Sequence, residues 1–196
     1  MNKLIMLFLT VVITISCHES ESDKITADWK DYKDEEIHLK IPKNWQIRKF
    51  DDVWKYFPYN DKNSKLYFSI QKYETSTIGL NDKEYLKEGF RQISEKIDKF
   101  HYVLKKLSFN NNKRCYILTI FTNEKGIDYV TYCLIYQPDD IIYDFAYKTV
   151  RDEEQDELNY RKFLLIVQGS VINGNKIIDG STLIVDNEEK ITFEEI

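Results

Sequence analysis

The 196-residue sequence contains few of the residues that form linkers, metal sites and redox centres: it has six Gly, three Pro, three Cys and three His. With so little Gly and Pro, the middle of the chain has no linker-like stretch, which favours one domain over two. Neither His38 nor His101 has a second His or Cys at a zinc-site spacing, and His18 lies in a polar N-terminal segment. We expect His38 and His101 to be structural or solvent-exposed.

Motifs for cofactors and catalysis are also missing. The chain has no Gly-rich phosphate loop, no Gly-x-Ser-x-Gly turn and no calcium-loop spacing of acidic residues. Paired carboxylates at residues 51–52, 139–140 and 153–154 fall in predicted turns and helix starts. The net charge of −5, without a basic stripe, argues against a nucleic-acid partner. We therefore predict no metal, no cofactor and no nucleic acid, while an enzyme built from scattered carboxylates or Tyr residues stays open.

The N-terminus has the pattern of a signal peptide. Lys3 gives a small positive region, and residues 4–15 are apolar apart from Thr10 and Thr14. Twelve helical residues extend roughly 18 Å, well short of the roughly 30 Å hydrocarbon core of a membrane. We therefore expect this segment to direct export and not to span a membrane.

The residues that follow resemble the lipobox of bacterial lipoproteins. Ile15, Ser16 and Cys17 place a small residue directly before a cysteine. The resemblance implies removal of residues 1–16, lipidation of Cys17 with fatty acids such as palmitate, and anchoring to the bacterial envelope, with the outer membrane expected. An ordinary secretory signal with a chance cysteine is the alternative.

Residues 17–35 are predicted to form the lipidated cysteine and an acidic tether. Residues 18–23 carry no apolar side chain, so they have nothing to bury. They also resemble the acidic export signal that sends some lipoproteins of Gram-negative bacteria to the cell surface. The periplasmic and surface-exposed faces of the membrane both stay open.

Hydrophobic periodicity predicts a single α+β domain over residues 36–172, followed by a C-terminal hairpin or tail over residues 173–196. An apolar stripe at spacings of three and four predicts a helix over residues 81–100, with Asn81 and Glu84 as its capping pair. A second helix is predicted from about residue 152 to near Gly174. Strand-like alternation occurs at residues 37–41, 45–47, 53–57, 65–73, 102–109, 114–122, 129–137 and 141–148.

This order of elements resembles the Mog1/PsbP-like fold. The resemblance rests on residues 41–45 (Ile-Pro-Lys-Asn-Trp), the helix over residues 81–100, the hairpin series over residues 102–148 and the helix after Asp152. It implies an antiparallel sheet of about six to eight strands with two amphipathic helices packed on it. It also implies a small protein that binds or scaffolds other proteins, and it carries over no catalytic residue.

Cys115 and Cys133 lie in consecutive predicted strands. Their separation of eighteen residues is even, so a simple hairpin would place both side chains on one face, where an oxidising envelope would favour a disulfide. With the expected turn length, however, Cys115 falls opposite residue 135 or 136, which offsets the pair. Two buried thiols acting as small apolar residues are the alternative.

One aromatic segment is the candidate binding surface. Trp54, Tyr56, Phe57 and Tyr59 crowd around Pro58 in a polar frame that suits a protein or glycan contact. The alternative is an edge strand whose aromatic side chains close the core. We interpret the chain as a non-enzymatic envelope lipoprotein that binds another protein as an accessory or immunity-type subunit. A hydrolase-type enzyme and a small-ligand or glycan carrier are the other candidates.

Overall fold

Strands far outnumber helices in the computed structural model, which describes residues 21–51, 53–59, 65–97, 100–108, 114–176 and 188–196. The helices are α1 (Glu21–Thr26), α2 (Thr75–Ile78), α3 (Asp82–Lys96) and α4 (Asp156–Gln168). The strands are β1 (Trp29–Lys33), β2 (Ile37–Pro42), β3 (Trp45–Phe50), β4 (Val53–Pro58), β5 (Tyr67–Glu74), β6 (Phe100–Ser108), β7 (Arg114–Glu124), β8 (Ile127–Tyr136), β9 (Ile141–Val150), β10 (Val171–Ile172), β11 (Asn175–Lys176) and β12 (Glu188–Ile191). The predicted α+β class is confirmed.

The described strands form two antiparallel sheets. The large sheet has the order β12-β6-β7-β8-β9-β5-β4-β3, and the small sheet has the order β1-β2-β10-β11. Strands β6 to β9 are consecutive antiparallel neighbours, as their short connections predicted. The β7–β8 turn is only two residues long, because Lys125 and Gly126 both adopt the positive φ angles, 55° and 82°, that such a hairpin requires.

One face of the large sheet packs against the small sheet and α4. Ile37, Leu39 and Ile41 alternate along β2 and are each 1% exposed, so this strand buries one face completely. Helix α4 adds Phe163 and Val167, which are both 0% exposed. We call this side of the large sheet the first face.

The opposite side, the second face, packs against α3 and the residues after β12. Leu86, Phe90 and Ile93 of α3 lie over it together with Phe193. The predicted start of α3 is confirmed: the Asn81 side chain accepts hydrogen bonds from the first turn, and Glu84 completes the capping box. Two covered faces place the large sheet at the centre of the molecule.

Several predicted boundaries need correction. Helix α3 ends at Lys96, before the predicted residue 100, and α4 ends at Gln168, before the predicted end near Gly174, where β10 instead pairs with β2.

Strand β1 begins at Trp29, inside the predicted tether of residues 17–35, because its backbone pairs with β2 along five residues. The predicted C-terminal hairpin or tail is instead divided between the sheets: β11 pairs with β10, and β12 pairs with β6. The apolar runs of residues 177–178 and 183–185 lie outside the described residues.

Candidate functional site

The aromatic segment proposed as a binding surface is mostly interior. Trp54, Tyr56 and Phe57 are 1%, 0% and 2% exposed, whereas Tyr59 is 72% exposed. The prediction is therefore wrong for the first three residues, because β4 is an inner strand with a pairing strand on each side. For Tyr59, which lies just beyond the end of β4, it stays a prediction.

The buried rings of β4 hold the small sheet against the large one. Tyr56 meets Tyr32 of β1 edge to face, with ring centroids 5.5 Å apart. The Trp54 indole N–H donates a hydrogen bond of 3.3 Å to Asp34, in the turn between β1 and β2. These contacts fix β1 beside β3 and so create the space between the two strands.

Asp34 is the polar centre of this joint. Burial pushes the pKa of Asp34 upward, but hydrogen bonds from the backbone N–H groups of Ile37 and Glu36 and from two side chains lower it overall. Tyr32 donates one of these bonds, at 3.0 Å, and burial together with this carboxylate raises the pKa of Tyr32 to about 12. At neutral pH the carboxylate is therefore ionised and the phenol is protonated.

A groove of about 650 Å³ lies between β1 and β3. It is the part of the described structure that most resembles a binding site, because apolar walls and a few polar groups converge on one open space. Its lining consists of three aromatic residues (Tyr32, Trp45 and Tyr59), two lysines (Lys30 and Lys43), two amides (Asn44 and Gln46) and two isoleucines (Ile41 and Ile47).

Three hydrogen bonds to backbone carbonyls connect the residues that line the groove. The Lys30 ammonium donates a 2.7 Å hydrogen bond to the Trp45 carbonyl, which joins β1 to β3 across the groove. The Tyr59 N–H donates to the Asn44 carbonyl at 2.9 Å, and the Gln46 amide donates to the Tyr59 carbonyl at 3.2 Å. The backbone of Tyr59 is thus anchored while its ring extends into solvent.

The groove is positively charged in a chain of net charge −5. Its lining includes two lysines and no carboxylate. Lys43 lies 3.8 Å from Asp28, but both side chains are largely exposed, so this pair neutralises little of the charge. Two further cations follow along β3: Arg48 lies over the Phe57 ring, and Lys49 already pairs with Glu36 at 2.5 Å. The groove therefore favours a ligand that combines apolar groups with negative charge.

The described residues also contain a second cleft of about 550 Å³, at the ends of β6, β7, β8 and β9. His101, Phe121, Asp128 and Arg151 line it. Arg151 already pairs with Glu153 and Asp156 and lies over the Phe121 ring, so its charge is largely compensated. Within the described ranges, no three His, Cys, Asp or Glu residues group as metal ligands.

The two strand cysteines lie on opposite faces of the large sheet and are free thiols. In the observed register Leu118 faces Cys133, while Cys115 packs on the first face. The two-residue turn explains the error in the same-face prediction: it pairs Tyr116 with Ile135, so residues opposite each other differ by an odd number. A disulfide would have to pass through the sheet. Burial raises the pKa of both thiols, which makes them poor nucleophiles.

Cys17, the predicted lipidation site, lies outside the described residues. Among the residues that the structure does describe, no helix is both long and apolar enough to cross a membrane.

The sequence pattern did not identify Lys30, Lys43, Trp45 and Gln46 as residues of this groove. The turn at residues 41–45 pointed to Trp45 as a structural marker, but nothing in the sequence showed that β1 would lie opposite it. Their juxtaposition arises from the packing of the two sheets and not from local pattern.

Neither a protein-family model nor a curated protein matches the chain. Among solved structures, the chain is similar to the cyanobacterial PsbP (CyanoP) of Synechocystis, with a TM-score of 0.51 and 10% identity over 74% of this chain and 93% of that one. This likeness supports the predicted PsbP-like fold and shows the fold alone.

Two other solved structures align less well. LpqN of Mycobacterium tuberculosis, described as involved in cell envelope biogenesis, matches with a TM-score of 0.40 and 9% identity over 78% of this chain and 96% of that one. A structure from Bacteroides thetaiotaomicron matches with a TM-score of 0.42 and 14% identity over 74% of this chain. The present chain spans about half of that protein, 48% of its length.

Proposed function

We propose that this chain is a lipid-anchored protein of the bacterial envelope that acts without catalysis and binds another protein through the groove between β1 and β3. The observation that carries the binding role is the groove itself, where the exposed ring of Tyr59 lies beside Lys30, Lys43 and the largely buried Trp45. Aromatic rings in a polar frame are the residues that contribute most energy to protein interfaces.

The exposure of Tyr59 supports a binding role more strongly than its residue type does. A tyrosine that is 72% exposed adds little to the stability of its own domain. Its backbone is nevertheless fixed by hydrogen bonds to Asn44 and Gln46, so only the side-chain torsions of Tyr59 lose freedom when a partner covers the ring. An exposed ring on an anchored backbone at the rim of a groove is suited to serve as an anchor for a partner.

The anchoring part of the proposal rests on the N-terminal sequence. A short apolar run followed by Ser16 and Cys17 supports lipidation of Cys17, and the acidic residues 18–23 suit a solvated connection to the domain. The outer membrane is the proposed location, on either its periplasmic or its exposed side.

Site-specific photocrosslinking tests the binding role. A benzophenone amino acid at position 59, introduced in the bacterial host, should give one discrete adduct that is lost on adding Lys43→Glu. The control position is Ile127, which is 45% exposed and begins β8, separated from β3 by three strands of the large sheet. The same adducts from both positions, or none from position 59, would contradict the proposal.

Mass spectrometry of the native protein tests the anchor. The mature N-terminal peptide should begin at Cys17, carry glyceride-linked fatty acids and disappear from the membrane fraction in Cys17→Ser. An unmodified thiol at this position would refute the anchor without affecting the binding role.

A glycan ligand is the second candidate, because Trp45 and Tyr59 lie beside the amide groups of Asn44 and Gln46. Amides and aromatic rings together also suit sugar hydroxyls and sugar faces. Titration with soluble envelope oligosaccharides, followed by tryptophan fluorescence, separates the two. Saturable binding that is lost in Tyr59→Ala would replace the protein partner by a glycan.

A further inference from the structure

The hydrogen-bond pattern of the β3–β4 hairpin fixes which backbone groups of β3 point outward. The Tyr59 N–H donates to the Asn44 carbonyl, so the backbone N–H and C=O groups of Asn44 point toward β4. The backbone groups of every second residue in an antiparallel strand point the same way. Those of Gln46 and Arg48 therefore also point toward β4, and those of Trp45, Ile47 and Lys49 point away from it. The outward residues present N–H and C=O groups at the edge of the sheet.

This edge has no pairing strand among the described residues. One outward group is already engaged, because the Trp45 carbonyl accepts the hydrogen bond from Lys30. Beyond it, Ile47 and Lys49 offer a stretch of edge long enough for a short added strand, directly beside the groove. An unpaired edge of this kind is a template for strand addition.

The opposite end of the same sheet shows what kind of strand such an edge accepts. There β12 adds to β6, and its acidic residues pair with basic residues of the sheet: Glu188 with Lys105 at 2.5 Å and Glu189 with Lys106 at 3.6 Å. The β3 end also carries basic side chains, but no acidic strand lies against it within the described ranges. These basic side chains are Lys30, Lys43, Arg48 and Lys49; Lys30 already donates to the Trp45 carbonyl and Lys49 already pairs with Glu36, so the exposed Lys43 and Arg48 supply most of the charge that an added strand would meet.

We infer that the free edge of β3 accepts an extended acidic strand of the partner protein, which adds to the large sheet as a further strand and places an apolar side chain in the groove. The inference rests on the proposed function and specifies the partner's chemistry. Backbone hydrogen bonds to Ile47 and Lys49 would fix the register of the added strand, and its carboxylates, opposite the basic side chains, would favour an acidic partner over others.

Amide hydrogen exchange tests the strand directly. The probe is an eight-residue synthetic peptide in which glutamate alternates with valine and tyrosine, and its control replaces each glutamate by lysine. At saturation the acidic peptide should slow exchange at the Ile47 and Lys49 amides at least tenfold and leave the inward amides of Gln46 and Arg48 unchanged. Unchanged exchange at the two outward amides, or equal protection by the lysine peptide, would overturn the inference.

A proline variant tests the same edge in the native complex. Ile47→Pro removes an outward N–H without breaking a β3–β4 hydrogen bond, so folding should persist, as circular dichroism can verify. The adduct from position 59 should fall at least tenfold in Ile47→Pro and only a few-fold in Ile47→Val, which keeps the N–H group.

The outcomes separate the two levels of the proposal. An adduct that survives Ile47→Pro overturns strand addition and leaves the proposed function standing, whereas no adduct in the otherwise unchanged protein overturns the proposed function itself. Sedimentation of the protein alone tests whether a second copy of the chain occupies this edge. A dimer that Ile47→Pro dissociates would identify a second copy of the chain at this edge and overturn the acidic partner.

Discussion

The two end strands of the large sheet, β12 and β3, are built from opposite kinds of sequence. Strand β12 is four residues long and mostly charged, and it covers the basic edge of β6 with acidic side chains of the same chain. Strand β3 is six residues long, starts with Trp45, and leaves its outward backbone groups beside an open groove. One end of the sheet is closed by the chain itself, and the other is open.

The contrast shows how one sheet combines stability with binding. At the β12 end, Glu188 is 11% exposed at its side chain and accepts hydrogen bonds from both Lys105 and Tyr160, each at 2.5 Å. At the β3 end the side chains of Lys43 and Arg48 are exposed, and the outward backbone groups of Ile47 and Lys49 have no pairing strand among the described residues. We therefore expect substitutions at the β12 end to change the free energy of unfolding and substitutions at the groove to change binding.

Removal of residues 188–196 should have the largest effect. It deletes the β12 ladder, the buried Ile191 and the stacking of Phe193 on Phe90, whose centroids lie 4.0 Å apart. Urea denaturation should show the free energy of unfolding lowered by about 4 kcal/mol. A loss under about 1 kcal/mol would mean that the closed end contributes no more than an exposed surface, and the comparison of the two ends would fail.

The next largest effect concerns the centre of the large sheet, where one buried carboxylate makes the free energy of unfolding depend on pH. Asp144 of β9 accepts a 2.8 Å hydrogen bond from Tyr85 of α3, while its Oδ1 is buried without a partner among the described residues. Burial raises the pKa of Asp144 to about 6, against the hydrogen bond, which lowers it. The folded protein therefore binds the proton more tightly than the unfolded chain, and stability falls as pH rises from about 4 to about 6.

Asp144→Asn should abolish that pH dependence. The neutral amide still accepts the hydrogen bond from Tyr85, so the free energy of unfolding should rise by about 2 kcal/mol at pH 7 and change little at pH 4. Denaturation curves across this pH range measure it. If the free energy of unfolding of the variant still falls as the pH rises, other acidic groups cause the pH dependence.

Glu188→Gln should cost about 2 kcal/mol, because the variant keeps the shape but removes a nearly buried charge that holds Lys105 and Tyr160. Glu189→Gln is the matched control: its pair with Lys106 has a carboxylate that is 69% exposed, so the expected loss is under about 0.5 kcal/mol. Equal losses for the two variants, measured by urea denaturation, would show that burial does not set the strength of the β12 contacts.

Tyr59→Ala should have the smallest effect on stability, under about 0.5 kcal/mol, because the ring is 72% exposed. Its effect on partner binding should be large. Thermal denaturation and quantitative co-purification from crosslinked membranes measure the two quantities in parallel. A destabilised variant would assign Tyr59 to the fold and remove the distinction between the open and closed ends.

The central strands and both long helices could be predicted because their burial imposes a period on the sequence. The alternation in β2 and the capping pair Asn81 and Glu84 are local signals that packing did not override. The end strands were harder. β1 and β12 consist largely of charged residues, and they are strands because one neighbour pairs with their backbone, which no side-chain pattern reports.

The candidate site was only partly predictable for related reasons. The run of apolar residues through Trp54, Tyr56 and Phe57 is typical of a strand that is covered on both faces, and Tyr59 differs only in lying past its end. The opposite faces of Cys115 and Cys133 depend on one residue more or less in a turn. The groove depends on contact between two sheets, which lies beyond any local pattern.

The position of β1 in the wall of the groove sets how far the groove can operate from a bilayer. Eleven residues separate Cys17 from Trp29, and because six of them form α1, this connection reaches at most about 30 Å. With Cys17 lipidated as proposed, the groove samples a thin layer above the membrane surface. A partner embedded in the same membrane would then meet it at a high effective concentration, so even a weak strand contact would keep the two proteins together.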